Sequence, residues 1–386
     1  KNISYAWALI LRAQAFLRFT DIYGPFPLSM NADNTEVYTS QRDIYLQLIK
    51  DLNEATTYIS SDTHLAKNMI AFAPYDLVYK GDFNKWRKFA NSLKLRIAVR
   101  ISNVEPTLAR TLAEQAVRDG VIEGNEDNCA IHYNKSGLWT TAVSWGDSRV
   151  CADIECYMTG YKDPRMSMYF LQPMTAGQRK YIGCRAGAAI GSNVVAKRLY
   201  STVNVQETTP SLWLTASEMA FCKAEGVLRG WNMGGGTAKE YYERGVTLSF
   251  NQWGVDGVAT YLLDDTSTEA NYADALGGFG GAAAKASTIT IKWDDNAPMD
   301  EKMERLITQK WIALFPNGQE AWNEIRRTGY PRIFSVPQAT NGYTLLTPNR
   351  IPFDKNQQIN NRSNYDKAVE LLGGPDDYAT PMWWQR

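Results

Sequence analysis

Apolar side chains recur at helical spacing in three separate stretches of the first 102 residues, and that repetition narrows the fold more than anything else in the chain. In 5–20, Leu9, Ala13, Phe16 and Leu17 fall on one face, at the i, i+4, i+7 and i+8 positions of an amphipathic helix. In 40–59 the stripe is Ile44, Leu48, Leu52, Ala55 and Ile59; in 84–102 it is Trp86, Phe89, Ala90, Leu93, Ile97 and Ile101. Residues 107–119 predict a further, shorter helix. Each apolar face needs a partner. Successive helices with small and large apolar residues alternating on their faces predict stacked helical hairpins of the tetratricopeptide kind.

From 125 to 210 the period is lost, and Gly, Ser, Thr and aromatics interleave, as in "NKSGLWTTAVSWGDSR". This reads as an irregular insertion with a short strand or two, the sort of segment in which binding residues concentrate. Helix returns at 211–229 and at 237–252, where Thr237 and Glu240 have the spacing of a capping box. Gly- and Ala-rich 254–298 predicts a mobile loop, with the alternating "TITIKW" as one strand. Two more helices are expected over 299–328, with Ile307, Trp311, Leu314 and Phe315 on one face and Asn317-Gly318 as the joint. The Asn-, Pro- and Gly-rich 331–386 is expected to wrap irregularly against the core.

Composition excludes several function classes. With 41 basic and 41 acidic residues the formal net charge is zero, so no global field draws the chain to nucleic acid or to an anionic membrane. No run of about 18 apolar residues is present to span a bilayer as a helix. The chain begins at Lys1 without an initiator Met, a signal peptide or a lipidation cysteine, which suggests a processed or trimmed chain. Cys129, Cys151, Cys156, Cys184 and Cys222 show neither CxxC pairs nor a dense framework. Cys151 and Cys156 could bridge only if the chain turned back; free buried thiols are the simpler reading.

Catalytic signatures are missing. His64 and His132 stand apart from any ligand-spaced cluster, and there is no GxGxxG, Walker lysine, HExxH or GxSxG. Asp147, Asp153 and Glu155 could in principle supply paired carboxylates. Solvated acids are far commoner than a tuned acid and base, so the reading is of a binding protein, without cofactor or metal, rather than an enzyme.

Aromatics make up 12% of the chain, including 12 Trp and 21 Tyr, an excess that directs some rings towards a ligand or partner. Trp139 and Trp145 lie in polar, Gly-flanked surroundings. Two readings stand: anchors packed on the core, or a platform covering the apolar face of a sugar ring, with Asp147 and Arg149 as hydrogen-bond partners. The 29–38 loop offers Asn31, Asp33, Asn34 and Tyr38. It holds a partial set of calcium-type oxygens without EF-hand spacing, and a solvated turn is its simplest reading. In "EAWNEIRRTGYP", Arg326 and Arg327 fall in a last helical turn, where cations favour the dipole's negative end, and Trp322 can stack on Arg326 one turn away.

Several stretches together resemble one family. "LRAQAFLRFTDIYGPFPL", "DLVYKGDFNKWRKFANSLKLRIAVRIS", "KDPRMSMYF", "SEMAFCKAEGVLRGW", "ITQKWIALFPNGQEAWNEIRRTGYP" and the tail from "RIPFDKNQQINNRSNYDKAVELLGG" to "PMWWQR" resemble SusD-like (RagB/SusD) proteins, in family order. The tail is most similar to the type 2 subgroup. The resemblance implies a mostly α fold: a tetratricopeptide-like helical repeat scaffold, mainly 1–120, 211–253 and 299–330, with few short strands. The loop-rich ligand-binding half would comprise 125–210, 254–298 and 331–386, and 1–386 would form a single SusD-like domain. It further implies a lipid-anchored, surface-exposed outer-membrane lipoprotein of Bacteroidetes that binds oligosaccharides, or in some members peptides, as a lid over a SusC-like TonB-dependent transporter. A helical-repeat subunit that only gates the transporter is the third possibility. In the family, the loop after the "YG..P" helix stop lies near the ligand region, so Pro25 and Pro27 would rigidify a loop presenting Asn31, Asp33 and Tyr38. The alternatives for that loop are contact with the transporter or a plain connection.

Overall fold

The computed structural model describes residues 3–30, 36–132, 134–175, 180–274, 278–336 and 347–386. The chain forms two compact units, one built from Lys1–Ile122, Arg229–Gly235 and Thr347–Arg386, the other from Glu123–Leu228 and Gly236–Leu346. Both are mostly helical with few short strands, as the periodicity predicts.

In the first unit the helices are Ile3–Tyr23, Gln41–Ser61, Leu65–Phe72, Phe83–Arg100 and Pro106–Asp119, with Ile3–Tyr23 packed on Gln41–Ser61 and Phe83–Arg100 on Pro106–Asp119. The second helix starts where the Asp43 amide donates to Ser40 Oγ, and its stripe of Ile44, Leu48, Leu52, Ala55 and Ile59 is wholly buried. Phe83–Arg100 is buried on nearly every side, including Lys94, Arg96 and Arg100. A cation so placed needs a partner, and Arg100 has Asp21 at 2.7 Å, with both side chains out of water. The same carboxylate accepts from the Tyr45 hydroxyl and, at 3.0 Å, from the Trp384 indole.

The firm stop at Gly24 has a direct structural cause. Its φ of +87° closes the first helix, with its amide on Thr20 O at 2.8 Å. The chain then forms a β-hairpin rather than a loop: Phe26–Met30 pairs antiparallel with Glu36–Thr39, Pro27 opposite Tyr38. Asn31, Asp33 and Asn34 lie outside the described residues. The tail is also more regular than its composition predicts. Helices Lys355–Asn360 and Arg362–Leu372 form there, because Asp354 caps the first from its side chain and Gly373, at φ +71°, ends the second.

The second unit centres on Ala216–Leu228, Ala238–Gln252, Met299–Ala313 and Gly318–Thr328. The Thr237–Glu240 capping box is formed, with the Thr237 amide on Glu240 Oε2 at 2.7 Å and the Glu240 amide on Thr237 Oγ1 at 3.2 Å. Three expectations change. The helix expected from 211 starts at Ala216, because Ser211–Leu214 pairs as a strand with Cys129–Ile131. The 125–210 segment carries short helices, among them Ala152–Gly160 and Asn193–Leu199. "TITIKW" forms no strand: Ile289, Ile291 and Trp293 alternate because they are buried, while the carbonyls of Ile289 and Ile291 accept from the Tyr161 and Tyr242 hydroxyls. Alternation reports one buried face, and side-chain donors satisfy that backbone as well as a neighbouring strand would.

Candidate functional site

Residues 137–145 wind more loosely than an α-helix. Ser136 caps the Gly137–Trp139 turn, and the chain then opens into a π-helical turn, Thr140–Ser144, with the Trp145 amide on Thr140 O at 2.8 Å. Single π turns accommodate an extra residue in a helix and often sit at functional sites. Here the turn projects Trp145, whose side chain is 57% exposed, a large cost for a ring of that area. Trp139 is half-buried, with the Lys135 ammonium 5.6 Å from its ring centre. Asp147 is exposed and accepts from Asn193 Nδ2 at 3.1 Å.

Arg149 belongs to a different surface. Its guanidinium donates to Ala142 O at 2.8 Å, and its Nε is buried without a partner. Burial lowers its pKa, an effect the Asp147 charge partly offsets. Together with Leu138, Ile154, Phe170, Trp311 and Trp322, Arg149 lines a cavity of about 320 Å³. Trp311 and Phe315 were legible as a helical stripe; that the same stripe furnishes cavity wall was not, because periodicity reports a face without saying what meets it.

The remaining candidates resolve as follows. Tyr38 is a core residue: it is buried with Phe353, Ala368 and Leu372, its ring 6.0 Å from that of Phe353, so no ring is presented to a ligand there. The correction follows from the hairpin, whose alternation turns Tyr38 inward. Asp153 and Glu155 are buried and engaged. Asp153 accepts from the Phe334 amide at 2.7 Å and the Cys151 thiol at 2.9 Å, and Glu155 from the Thr159 hydroxyl at 2.7 Å. Among the described residues no group of three His, Cys, Asp or Glu is placed to hold a metal. All five cysteines are free thiols, and burial pushes Cys184 up to about 11 and Cys222 up to about 12.

Arg327 was read as a dipole-favoured cation and is more than that. It is buried, bonded to both oxygens of Glu225 and to Glu324, while Lys310 meets Glu324 at 3.0 Å. Arg326 does stack on Trp322, 3.5 Å from the ring centre.

Comparison with known proteins gives one consistent result. A family model described as SusD-like, the Susd and RagB outer membrane lipoproteins, matches residues 1–385. A SusD-like protein of Bacteroides thetaiotaomicron is 39% identical, with a TM-score of 0.93 over 100% of this chain and 81% of that one. A SusD homologue of Bacteroides uniformis is 40% identical, with a TM-score of 0.91 over 100% and 81%. A chitin-binding SusD homologue of Flavobacterium johnsoniae is 38% identical, with a TM-score of 0.91 over 99% and 80%. No curated protein matches the chain.

Proposed function

The chain belongs to the SusD-like family of outer-membrane lipoproteins, and we propose that it is a surface-exposed glycan-binding member that captures oligosaccharides and delivers them to a SusC-like TonB-dependent transporter. The observation that carries this reading is Trp145, held more than half in water by a π turn with the Asp147 carboxylate two residues on. A flat apolar ring beside a hydrogen-bond acceptor matches a sugar, whose axial C–H face needs the ring and whose hydroxyls need the acceptor. Trp139 extends the same short segment. Proteins of this family bind rather than catalyse, and the buried, bonded state of Asp153 and Glu155 agrees with that. Among the described residues no helix is long and apolar enough to cross a membrane, and the family is described as outer membrane lipoproteins.

Isothermal titration against a panel of oligosaccharides tests the reading, with N-acetylglucosamine oligomers first because a relative of this identity is described as chitin-binding. Binding of one glycan class, reduced about tenfold in Trp145→Ala, is expected, since an aromatic contact of this kind contributes about 1 kcal/mol or more. Unchanged glycan binding in folded Trp139→Ala and Trp145→Ala variants would sink the platform. A response to peptides alone would replace glycan capture by peptide capture, and silence towards both would leave a gating subunit.

A further inference from the structure

The cavity beside Arg149 has a chemistry of its own. Helix Gly318–Thr328 divides its faces: Glu324 and Arg327 belong to the buried ion network, and Ala321, Trp322 and Ile325 form cavity wall. Leu138, Ile154 and Phe170 contribute further apolar lining. A pyranose ring inside would bury hydroxyls against this wall, and each left unpaired costs about 1–3 kcal/mol. Few polar side chains are available to it, and one of them, the Cys151 thiol, already donates to Asp153. The occupant therefore has an apolar body. At about 320 Å³ the space lies at the small end of ligand pockets, enough for one ring and a short tail.

The one cation in that wall sets the rest of the chemistry. Arg149 has no carboxylate within ion-pair distance among the described residues, and its Nε is buried and unbonded. The Asp147 charge acts on this guanidinium without pairing with it, and a carboxylate in the cavity would complete it through charge-assisted N–H donation. We propose that this cavity is a binding site for small aryl-alkyl carboxylates, of the kind represented by 3-phenylpropionate, with the ring among Trp311, Trp322 and Phe170 and the carboxylate on Arg149. The site is independent of the glycan platform, and neither proposal needs the other.

Isothermal titration of the intact protein with 3-phenylpropionate, and with its uncharged amide, tests it. The acid is expected to bind at least tenfold more tightly than the amide. Arg149→Gln should erase that preference. Ala321→Phe, which fills the cavity from the wall, should weaken acid binding at least tenfold while circular dichroism and the melting temperature are retained. If the folded wild type does not bind the acid, or binds acid and amide alike, the site is not a carboxylate site. Unchanged acid binding in folded Ala321→Phe would place the ligand elsewhere and overturn the proposal equally. Glycan titrations on the same samples report separately on the Trp145 platform.

Discussion

Replacing Arg327 by Met should destabilise the second unit by about 3–5 kcal/mol, and the structure says why. The Arg327 side chain is fully buried, with Glu225 oxygens at 2.6 and 2.7 Å and a Glu324 oxygen at 2.6 Å. Lys310 supplies the second cation at 3.0 Å from Glu324, so two buried carboxylates face two buried cations. Desolvation by itself would lower the pKa of both cations, yet Glu225 and Glu324 outweigh it at Arg327, and Cys222 together with the same carboxylates outweighs it at Lys310, so both are raised. Met keeps the stem's volume but removes three charge-assisted bonds and leaves a net negative charge in a dry interior. Breaking a buried pair from one side costs about 3–5 kcal/mol, whereas replacing both partners by apolar groups is often near neutral. Glu225→Met/Arg327→Met should therefore recover at least half of the loss. Urea unfolding followed by near-ultraviolet circular dichroism, run on wild type, both single variants and the double variant, gives the coupling energy directly. A single-variant loss below about 1 kcal/mol, or a double variant as unstable as the single, would show that this network does not hold the helix that carries the cavity wall.

Two further outcomes are expected. Glu269 is buried, with one oxygen accepting from the Ala286 and Ser287 amides and the other unpartnered; burial, against those amides, pushes its carboxyl up to about 7. Because the folded value lies above the unfolded one, the folded state holds the proton more tightly, and stability falls as pH rises from about 4.5 to about 7. At about 1.4 kcal/mol per unit the full loss is about 3.5 kcal/mol, of which melts at pH 5 and pH 8 should show the larger part in wild type and not in Glu269→Gln. In the first unit, Trp384→Phe removes the indole bond to Asp21 and should cost about 1–2 kcal/mol, whereas Trp384→Ala should cost about 3–5 kcal/mol; equal losses in denaturant titration would show that ring packing adds nothing beyond the lost indole bond.

Much of the scaffold was legible along the chain. The stripe from Ile44 to Ile59, the Thr237–Glu240 box and the helix break at Gly24 depend on residues within a few turns of one another, and their chemistry is complete locally. The errors share one cause. "SLWL" looked like the start of a helix because it precedes one, and only Cys129–Ile131, far off in sequence, makes it a strand. "TITIKW" looked like a strand because one face is buried, and the distant hydroxyls of Tyr161 and Tyr242 take the carbonyls that a sheet would have used.

The candidate site divides in the same way. Trp145 had two readings from its polar, Gly-flanked surroundings, core anchor or exposed platform, and its ring stays in water. Tyr38 was singled out as the ring of a polar loop and is buried, because Phe353 and Leu372 arrive from the tail to cover it. Arg149 was grouped with Trp145 by proximity in sequence, and folding carries its guanidinium into a wall with Trp311 and Trp322. Helix, cap and turn follow from neighbours along the chain, since their hydrogen bonds close over a few residues. Which ring is covered, and which cation ends in an apolar wall, depends on side chains more than a hundred residues away, and no local pattern carries that information.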